Sequence, residues 1–241
     1  MFKLFCRLFL SLAVAGISSQ QLLAATPSYQ PLVDKLSRVA PGINQQALKH
    51  AIAAMQCAVN NGAEPAQRLA VIDYSQPSSA RRLWVFDLQR NRLLLRDFVA
   101  HGRMSGENFA TRFSNSVGSY QSSLGLFRTE ETYLGKHGYS LRMDGLELGV
   151  NDRARERAIV IHAADYVNPR WISKQGRIGR SLGCPAVRPE VARMVIDNLK
   201  GGQFMFSWYP DRRWLQRSDY LNCKPQRVAA AMRSRQVVSR G

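Results

Sequence analysis

Acidic residues are scarce in this sequence, and several patterns that mark other protein classes are missing. The chain of 241 residues has 17 aspartates and glutamates against 34 lysines and arginines, which gives a formal net charge of +17. Its four histidines and four cysteines include no C-x-x-C or H-x-x-x-H pair, so the short spacing of a zinc site is absent. After residue 25, no apolar run reaches the length of about 18 residues that spans a membrane. A metal centre and a membrane span in the mature chain are therefore disfavoured.

The N-terminal segment, residues 1–25, has the composition of a secretory signal peptide. Lys3 and Arg7 precede an apolar run at residues 9–17, and two alanines close the segment. We therefore expect export to the periplasm or the medium, with an uncleaved anchor as the alternative. Export favours an anionic envelope polymer, a membrane surface or a carboxylate-bearing substrate over nucleic acid as the partner of the positive charge.

Removal of this segment leaves three cysteines, namely Cys57, Cys184 and Cys223. An odd number in an exported protein indicates one disulfide and one free thiol. Cys57 ends a helical stretch and Cys223 lies in the C-terminal segment, so we expect these two to pair. Such a link would contribute about 4 kcal/mol through loop-closure entropy. Cys184 is then the free thiol.

Hydrophobic periodicity predicts a helical lead over residues 26–62, in which apolar side chains recur three and four positions apart. From residue 68 the period changes to two, which indicates a mostly β domain over residues 63–223. A Gly/Ser-rich irregular stretch at residues 102–125 has the length of a functional loop, and a basic tail follows at 224–241. We predict strands at 69–74, 83–88, 93–99, 124–127, 140–143, 146–150, 158–162 and 203–208, and one helix at 189–200.

The sequence SLGCP at residues 181–185 carries the strongest chemical signal. Gly183 allows the backbone to approach a substrate carbonyl, and the amides of Gly183 and Cys184 can face a developing oxyanion. Between residues 166 and 189 there are five basic residues and no acidic one, which favours the reactive thiolate. These features predict that Cys184 is a nucleophile and not a structural cysteine.

His162 ends a predicted strand upstream of Cys184, where a base could reach a nucleophile on a following loop. His137 is a weaker candidate for a substrate role, and His101 is weaker still. Both could join Cys184 and His162 as zinc ligands, a reading that the missing short spacings disfavour.

The Ile-His pair at residues 161–162 and the SLGC run at residues 181–184 resemble motifs of the L,D-transpeptidase catalytic domain family, also called YkuD-like. The runs at residues 114–125, 135–142 and 154–158 are similar to its murein L,D-transpeptidase branch. The resemblance covers roughly residues 65–210. It implies a compact β-sandwich-like catalytic domain with one helix after the cysteine, and no metal or cofactor.

The resemblance also implies that peptidoglycan stem peptides are the substrate. Cys184 would form a thioester with His162 as its base, and an amine would resolve it. Leu182 stands where the wider family has histidine, so the third member of the triad is open, with Ser181 or a backbone carbonyl as candidates. Ala163 and Ala186 depart from the family as well.

The predicted catalytic residues are Cys184, His162, Gly183 and Ser181, and the predicted substrate-binding residues are Arg180, Tyr139 and His137. Two alternatives remain open. One is an L,D-carboxypeptidase that hydrolyses the same stem peptides, and the other is a wall-binding module without activity.

Overall fold

The N-terminal helices pack against the rest of the protein in the computed structural model, which describes residues 29–230. Helix α1 spans Gln30–Val39 and α2 spans Gln45–Asn60. The Asn44 side chain caps α2 by accepting the first free N–H groups of the helix. The alanine-rich face of α2 is buried in the main hydrophobic core. The predicted signal segment, residues 1–25, lies outside the described residues.

A disulfide joins Cys57 near the end of α2 to Cys223, with their Cα atoms 5.5 Å apart. The bridge fixes the helical lead to the C-terminal part of the domain, across a sequence separation of 166 residues. Cys184 is the free cysteine of the described chain.

Within residues 29–230, eight strands form one mixed sheet in the order β3-β2-β1-β8-β4-β5-β6-β7. The strands are β1 (Arg68–Asp73), β2 (Leu83–Asp87), β3 (Arg92–Asp97), β4 (Gly125–Gly135), β5 (Gly138–Gly145), β6 (Val160–Ala163), β7 (Ala186–Val187) and β8 (Phe204–Trp208). The β1–β8 and β6–β7 pairs are parallel, and the other neighbours are antiparallel. This sheet confirms the mainly β class. No helix in the described part is long and apolar enough to cross a membrane.

Three further helices complete the fold: α3 (Arg170–Gln175), α4 (Pro189–Leu199) and α5 (Arg212–Arg217). Helix α4 ends one residue before the predicted boundary and packs against β1, β5 and β6, whereas α2 packs against β1, β8 and β4. The sequence did not predict α3 and α5, because six residues are too few to show a helical period.

The prediction of a strand at residues 146–150 is wrong, because this segment forms turns. The buried carboxylate of Glu147 accepts hydrogen bonds from the Leu126 N–H at 3.0 Å and the Ser218 hydroxyl at 2.7 Å. Gly149 then reverses the chain at φ +75°. An inward carboxylate and a glycine turn are incompatible with the apolar strand that the sequence suggested.

The predicted strand at 124–127 is instead the start of the 11-residue strand β4, which forms a long hairpin with β5. His137 lies in the turn of this hairpin. The hairpin therefore brings a residue of the predicted substrate set to the edge of the sheet that carries β6 and β7.

Candidate active site

Cys184 lies in a turn at residues 181–185, here named the cysteine turn, which leads into β7. Ser181 Oγ closes this turn by donating to the Cys184 carbonyl at 2.7 Å and accepting from the Gly183 N–H at 3.0 Å. Ser122 Oγ donates to the Gly183 carbonyl at 3.2 Å from the neighbouring loop. The turn is thus held from both sides, so that the position of the thiol is defined before substrate binds.

Gly183 has φ +127°, and a Cβ added there would lie 2.9 Å from the carbonyl oxygen of Gln121. Glycine is therefore required both for the backbone conformation and for the close approach of the two loops. The Gly183 N–H is already bonded to Ser181, so the expectation that this amide faces an oxyanion does not hold. The Cys184 N–H is the remaining donor of the expected pair.

The Cys184 sulfur lies along the backbone that leads into β6. Sγ is 3.5 Å from the Val160 nitrogen, which donates to it, and 3.6 Å from the Ala158 carbonyl oxygen, to which the thiol donates. Burial raises the pKa of the Cys184 thiol, while the Val160 N–H and the charge of Arg157 oppose that effect. The resting thiol is consequently protonated and needs a base.

His162 is buried on β6 and pairs in the parallel register with Ala186 of β7, two residues after the cysteine. Its Nδ1 is 2.7 Å from the carbonyl oxygen of Ala163. Since a carbonyl can only accept, Nδ1 carries the proton and the neutral ring has its lone pair on Nε2. Burial lowers the pKa of His162, the Ala163 carbonyl offsets this in part, and His137 lowers it further. The ring is therefore a neutral base at neutral pH.

The three predicted substrate-binding residues have different surroundings. The exposed His137 ring stacks on the His162 ring, with a centroid separation of 4.3 Å and an interplanar angle of 24°. Tyr139 donates its hydroxyl to the Asp197 carboxylate of α4 at 2.9 Å. Arg180 donates through one nitrogen to the Glu107 carboxylate at 2.6 Å and the Gly106 carbonyl at 2.9 Å. Of the three, His137 is the residue placed directly against the predicted base.

The basic residues around the cysteine turn are partly neutralised by acidic residues from elsewhere in the chain. Glu107 forms ion pairs with both Arg177 and Arg180, at 3.0 and 2.6 Å. Arg188 binds the Asp97 carboxylate through two bonds of 2.8 and 2.6 Å. The absence of acidic residues from the local sequence therefore does not describe the charge around the thiol.

Arg157 is a residue of the site that sequence reasoning did not single out. It is half-buried, and its charge acts on Cys184. The sequence contains Arg153, Arg155 and Arg157 in alternation, with no local signal that separates them. Only the fold shows that Arg153 and Arg155 bind carboxylates, whereas Arg157 turns inward.

His101 belongs to a buried network behind the cysteine turn. Arg82 donates to its Nδ1 at 2.6 Å, since a guanidinium cannot accept, and Nε2 lies 3.3 Å from the Gly106 carbonyl oxygen. Burial and the adjacent Arg82 lower the pKa of His101 to about 3. The His101 carbonyl in turn accepts the Ser181 N–H at 2.9 Å. With both ring nitrogens engaged, His101 supports the cysteine turn, and no group within residues 29–230 could hold a metal ion.

A family model described as the L,D-transpeptidase catalytic domain matches residues 39–208 of the chain. The comparison with curated proteins found no match to the chain. An L,D-transpeptidase structure from Mycobacterium smegmatis is similar with 16% identity and a TM-score of 0.37, and the match covers 60% of this chain and 59% of that one. One from Mycobacterium tuberculosis H37Rv has 15% identity, coverages of 59% and 58%, and a TM-score of 0.36. One from Stackebrandtia nassauensis has 14% identity, coverages of 76% and 92%, and a TM-score of 0.36. The chain thus spans less than two thirds of the length of the two mycobacterial structures.

Proposed function

The chain belongs to the L,D-transpeptidase catalytic domain family, and from this premise we propose that it is an exported acyltransferase that acts on peptidoglycan stem peptides through Cys184. One observation carries the proposal. The free thiol lies in a rigid turn beside the strand that bears a buried neutral histidine, and this histidine has its lone pair on Nε2. A free thiol and a neutral imidazole are the two groups that nucleophilic catalysis with a general base requires.

The proposed acylation begins when His162 Nε2 takes the proton of the Cys184 thiol. The sulfur then attacks the carbonyl carbon of the L-centre at the third position of the stem peptide, and the Cys184 N–H donates to the oxyanion. When the tetrahedral intermediate collapses, the C–N bond to the terminal D-residue breaks. His162 gives its proton to the leaving amine, so that a thioester remains on Cys184.

The thioester is resolved by a second nucleophile. An acceptor amine attacks the thioester carbonyl and loses a proton to His162, which returns it to the departing sulfur. The product is a 3→3 cross-link or a protein attached to the wall. Water in place of the amine would give a shortened stem peptide, which is the carboxypeptidase alternative.

The pKa directions support general-base catalysis over a preformed ion pair. Burial raises the pKa of Cys184 and lowers the pKa of His162, so both groups are neutral at rest. A neutral pair transfers its proton as the carbonyl approaches, when the new charge can be delocalised onto the oxyanion.

His137 and Arg180 are the residues that we propose to face the substrate. His137 is exposed in the β4–β5 turn and its ring stacks on that of His162, which places it next to the proposed base. Arg180 lies three residues before Gly183, and one of its guanidinium nitrogens donates to the Glu107 carboxylate. Tyr139 stays a weaker prediction, because its hydroxyl is bonded to Asp197.

Export is part of the proposal and rests on the sequence of residues 1–25. A stem-peptide substrate outside the membrane requires it, and the disulfide between Cys57 and Cys223 suits an oxidising compartment. The high positive charge would concentrate the enzyme near anionic envelope polymers.

The purified chain should be incubated with a disaccharide tetrapeptide, with and without an excess of acceptor amine, and the products separated by mass. We expect loss of the terminal D-residue and a new cross-linked dimer. The variant Cys184→Ser should give neither. A cross-link that still forms with Cys184→Ser would overturn the proposal, a shortened monomer without a dimer would select the carboxypeptidase, and no product from the unaltered chain would favour the inactive wall-binding module.

A further inference from the structure

Arg157 lies in the segment before β6 and carries a charge that no carboxylate of the described residues neutralises through an ion pair. Its neighbour Glu156 is bound instead by Arg153, at 2.8 Å. A half-buried guanidinium without a counter-ion is unfavourable unless its hydrogen bonds are satisfied or its charge has a use.

The two terminal nitrogens of Arg157 are fully engaged by a single loop, residues 114–123. They donate to the Ser114 carbonyl at 2.6 Å, the Gln121 carbonyl at 2.6 Å, the Ser119 hydroxyl at 3.2 Å and the Ser123 hydroxyl. Four acceptors match the four hydrogens on these two nitrogens. Arg157 therefore has no pair of donors left to hold a substrate carboxylate in the two-bond geometry.

The same guanidinium lies close to the cysteine turn. An added Cβ on Gly183 would be 3.5 Å from a terminal nitrogen of Arg157, and 2.9 Å from the Gln121 carbonyl oxygen that Arg157 binds. The residue after Arg157 is Ala158, whose carbonyl oxygen is 3.6 Å from the Cys184 sulfur. Ala158 has φ +52°, a conformation uncommon for alanine, so the backbone that links Arg157 to the thiol is under strain.

Other arginines near the cysteine turn are less suited to act on the sulfur. Arg177 and Arg180 share Glu107, and Arg188 is bound by Asp97. Their positive charges are thus partly neutralised by neighbouring carboxylates. Arg157 keeps its full charge, and it favours the ionised form of Cys184 against the effect of burial.

We propose that Arg157 is a positioning residue that stabilises the thiolate of Cys184 by its charge and at the same time holds the 114–123 loop against the cysteine turn. The inference rests on the proposed role of Cys184 as the nucleophile and adds a charged group that partly offsets the effect of burial on the thiol pKa. This proposal also assigns a role to the Gly/Ser-rich loop. Its carbonyl and hydroxyl groups accept hydrogen bonds from the Arg157 guanidinium without neutralising its charge.

The test is the pH dependence of alkylation of Cys184 by iodoacetamide, followed by intact mass on the purified chain with its disulfide intact. This reaction needs no substrate, so it reports on the thiol even if the proposed transpeptidation fails. The titratable groups around the sulfur are Tyr74 and Tyr166, whose pKa values respond to Cys184, together with Arg157 and the His162–His137 pair. The pKa values of the two tyrosines are raised and the pKa of His162 is lowered, so these groups should leave the thiol midpoint clear.

The variant Arg157→Gln should move the alkylation midpoint upward by on the order of 1 pH unit and slow the reaction about tenfold at pH 7, with the rate recovered above the new midpoint. Arg157→Lys keeps the charge but loses part of the hydrogen-bonding set, so its midpoint should stay within about a third of that shift. Arg153→Gln, on the same segment but exposed and bound to Glu156, is the matched control and should leave the midpoint unchanged.

A midpoint for Arg157→Gln equal to that of the unaltered chain would overturn the electrostatic role. So would an equal shift in Arg157→Lys, because it would show that the hydrogen bonds alone matter. If Arg157→Gln does not fold, as judged by circular dichroism, Arg157→Lys decides between the two roles: an unchanged midpoint supports the proposal and a full shift contradicts it.

Discussion

His137 stacks on His162 at a centroid distance of 4.3 Å, so that a residue of the β4–β5 turn covers the ring of the proposed base. The contact links two distant parts of the sequence, because Ser140 of β5 pairs with His162 of β6 in the sheet. The exposed turn thereby helps to exclude water from a buried imidazole. Both this exclusion and the nearby second ring disfavour protonation of His162.

The first prediction concerns this stack. His137→Ala should expose His162 and raise its pKa toward the ordinary value near 6.5, so the acid limb of the kcat/KM profile should move to higher pH. A base with a lowered pKa stays active as pH falls, and this advantage is lost when the pKa rises. His137→Phe keeps the ring cover and should move the limb less. An acid limb that is identical in all three proteins would show that the stack has no effect on the base.

Ser181 gives the second prediction. Its hydroxyl bonds to both Gly183 and Cys184, so Ser181→Ala leaves a buried amide without its acceptor. We expect a loss of about 1–3 kcal/mol in the free energy of unfolding and a kcat/KM lower by about ten- to a hundredfold. Ser181→Thr retains the hydroxyl and should restore most of the activity. If Ser181→Ala is as active as the unaltered chain, the hydroxyl does not position the thiol.

The third prediction concerns Gly183. Alanine there would meet the Gln121 carbonyl oxygen at 2.9 Å and would adopt φ +127°, so the cysteine turn must shift. Gly176, at the end of α3, also has positive φ (+74°) but open space around it, so Gly176→Ala measures the cost of a left-handed backbone without a close contact, about 1–2 kcal/mol. Gly183→Ala should lose more stability than this control and nearly all activity. Equal thermal unfolding temperatures for the two variants would mean that the close contact is absorbed without cost.

The sequence identified the family, the mainly β fold and the candidate residues Cys184 and His162, but not the residues that surround them. Cys184, the proposed nucleophile, and His162, the proposed base, lie on chain segments that the structure joins through the His162–Ala186 pair of β6 and β7, a contact that spacing alone could only suggest. Arg157 could not be separated from Arg153 and Arg155, because the choice between a carboxylate partner and an inward orientation depends on the position of residues 114–123. Likewise, Glu107 is more than 70 residues from Arg180, so local composition overstated the positive charge at the thiol.

The fourth prediction concerns the disulfide. The Cys57–Cys223 link closes a loop with a sequence separation of 166 residues, so Cys57→Ser should lower the free energy of unfolding by on the order of 4 kcal/mol in the chain-entropy model. In the chain without residues 1–25, a thiol count by maleimide should give one reactive group in the unreduced protein after unfolding, and three after reduction. The variant Cys184→Ser serves as the control and should show the same loss of stability on reduction as the unaltered chain. Three reactive thiols before reduction would contradict the link.

The last prediction separates two roles of Arg180. Its ion pair with Glu107 at 2.6 Å, together with the hydrogen bond from the Arg103 N–H to the Ser181 carbonyl, fixes the segment beside the cysteine turn. If Arg180 also receives a substrate carboxylate, Glu107→Gln should free its guanidinium and lower KM by a few-fold, because the competing carboxylate is removed. Arg180→Lys should raise KM and should do so even in 1 M salt, where the Debye length is about 3 Å and diffuse attraction is screened.

A purely structural role gives a different pattern in the same kinetic experiment. Both variants would then reduce thermal stability and kcat, Glu107→Gln by more because it removes the ion pairs with both Arg177 and Arg180, and the double variant would cost little more than Glu107→Gln alone. Arg177→Lys is the matched control, because Arg177 binds the other oxygen of Glu107 at 3.0 Å. A KM that falls with Glu107→Gln and rises with Arg180→Lys, but does not change with Arg177→Lys, would assign substrate docking to Arg180. A KM that does not change in any of the three would restrict Arg180 to holding the turn.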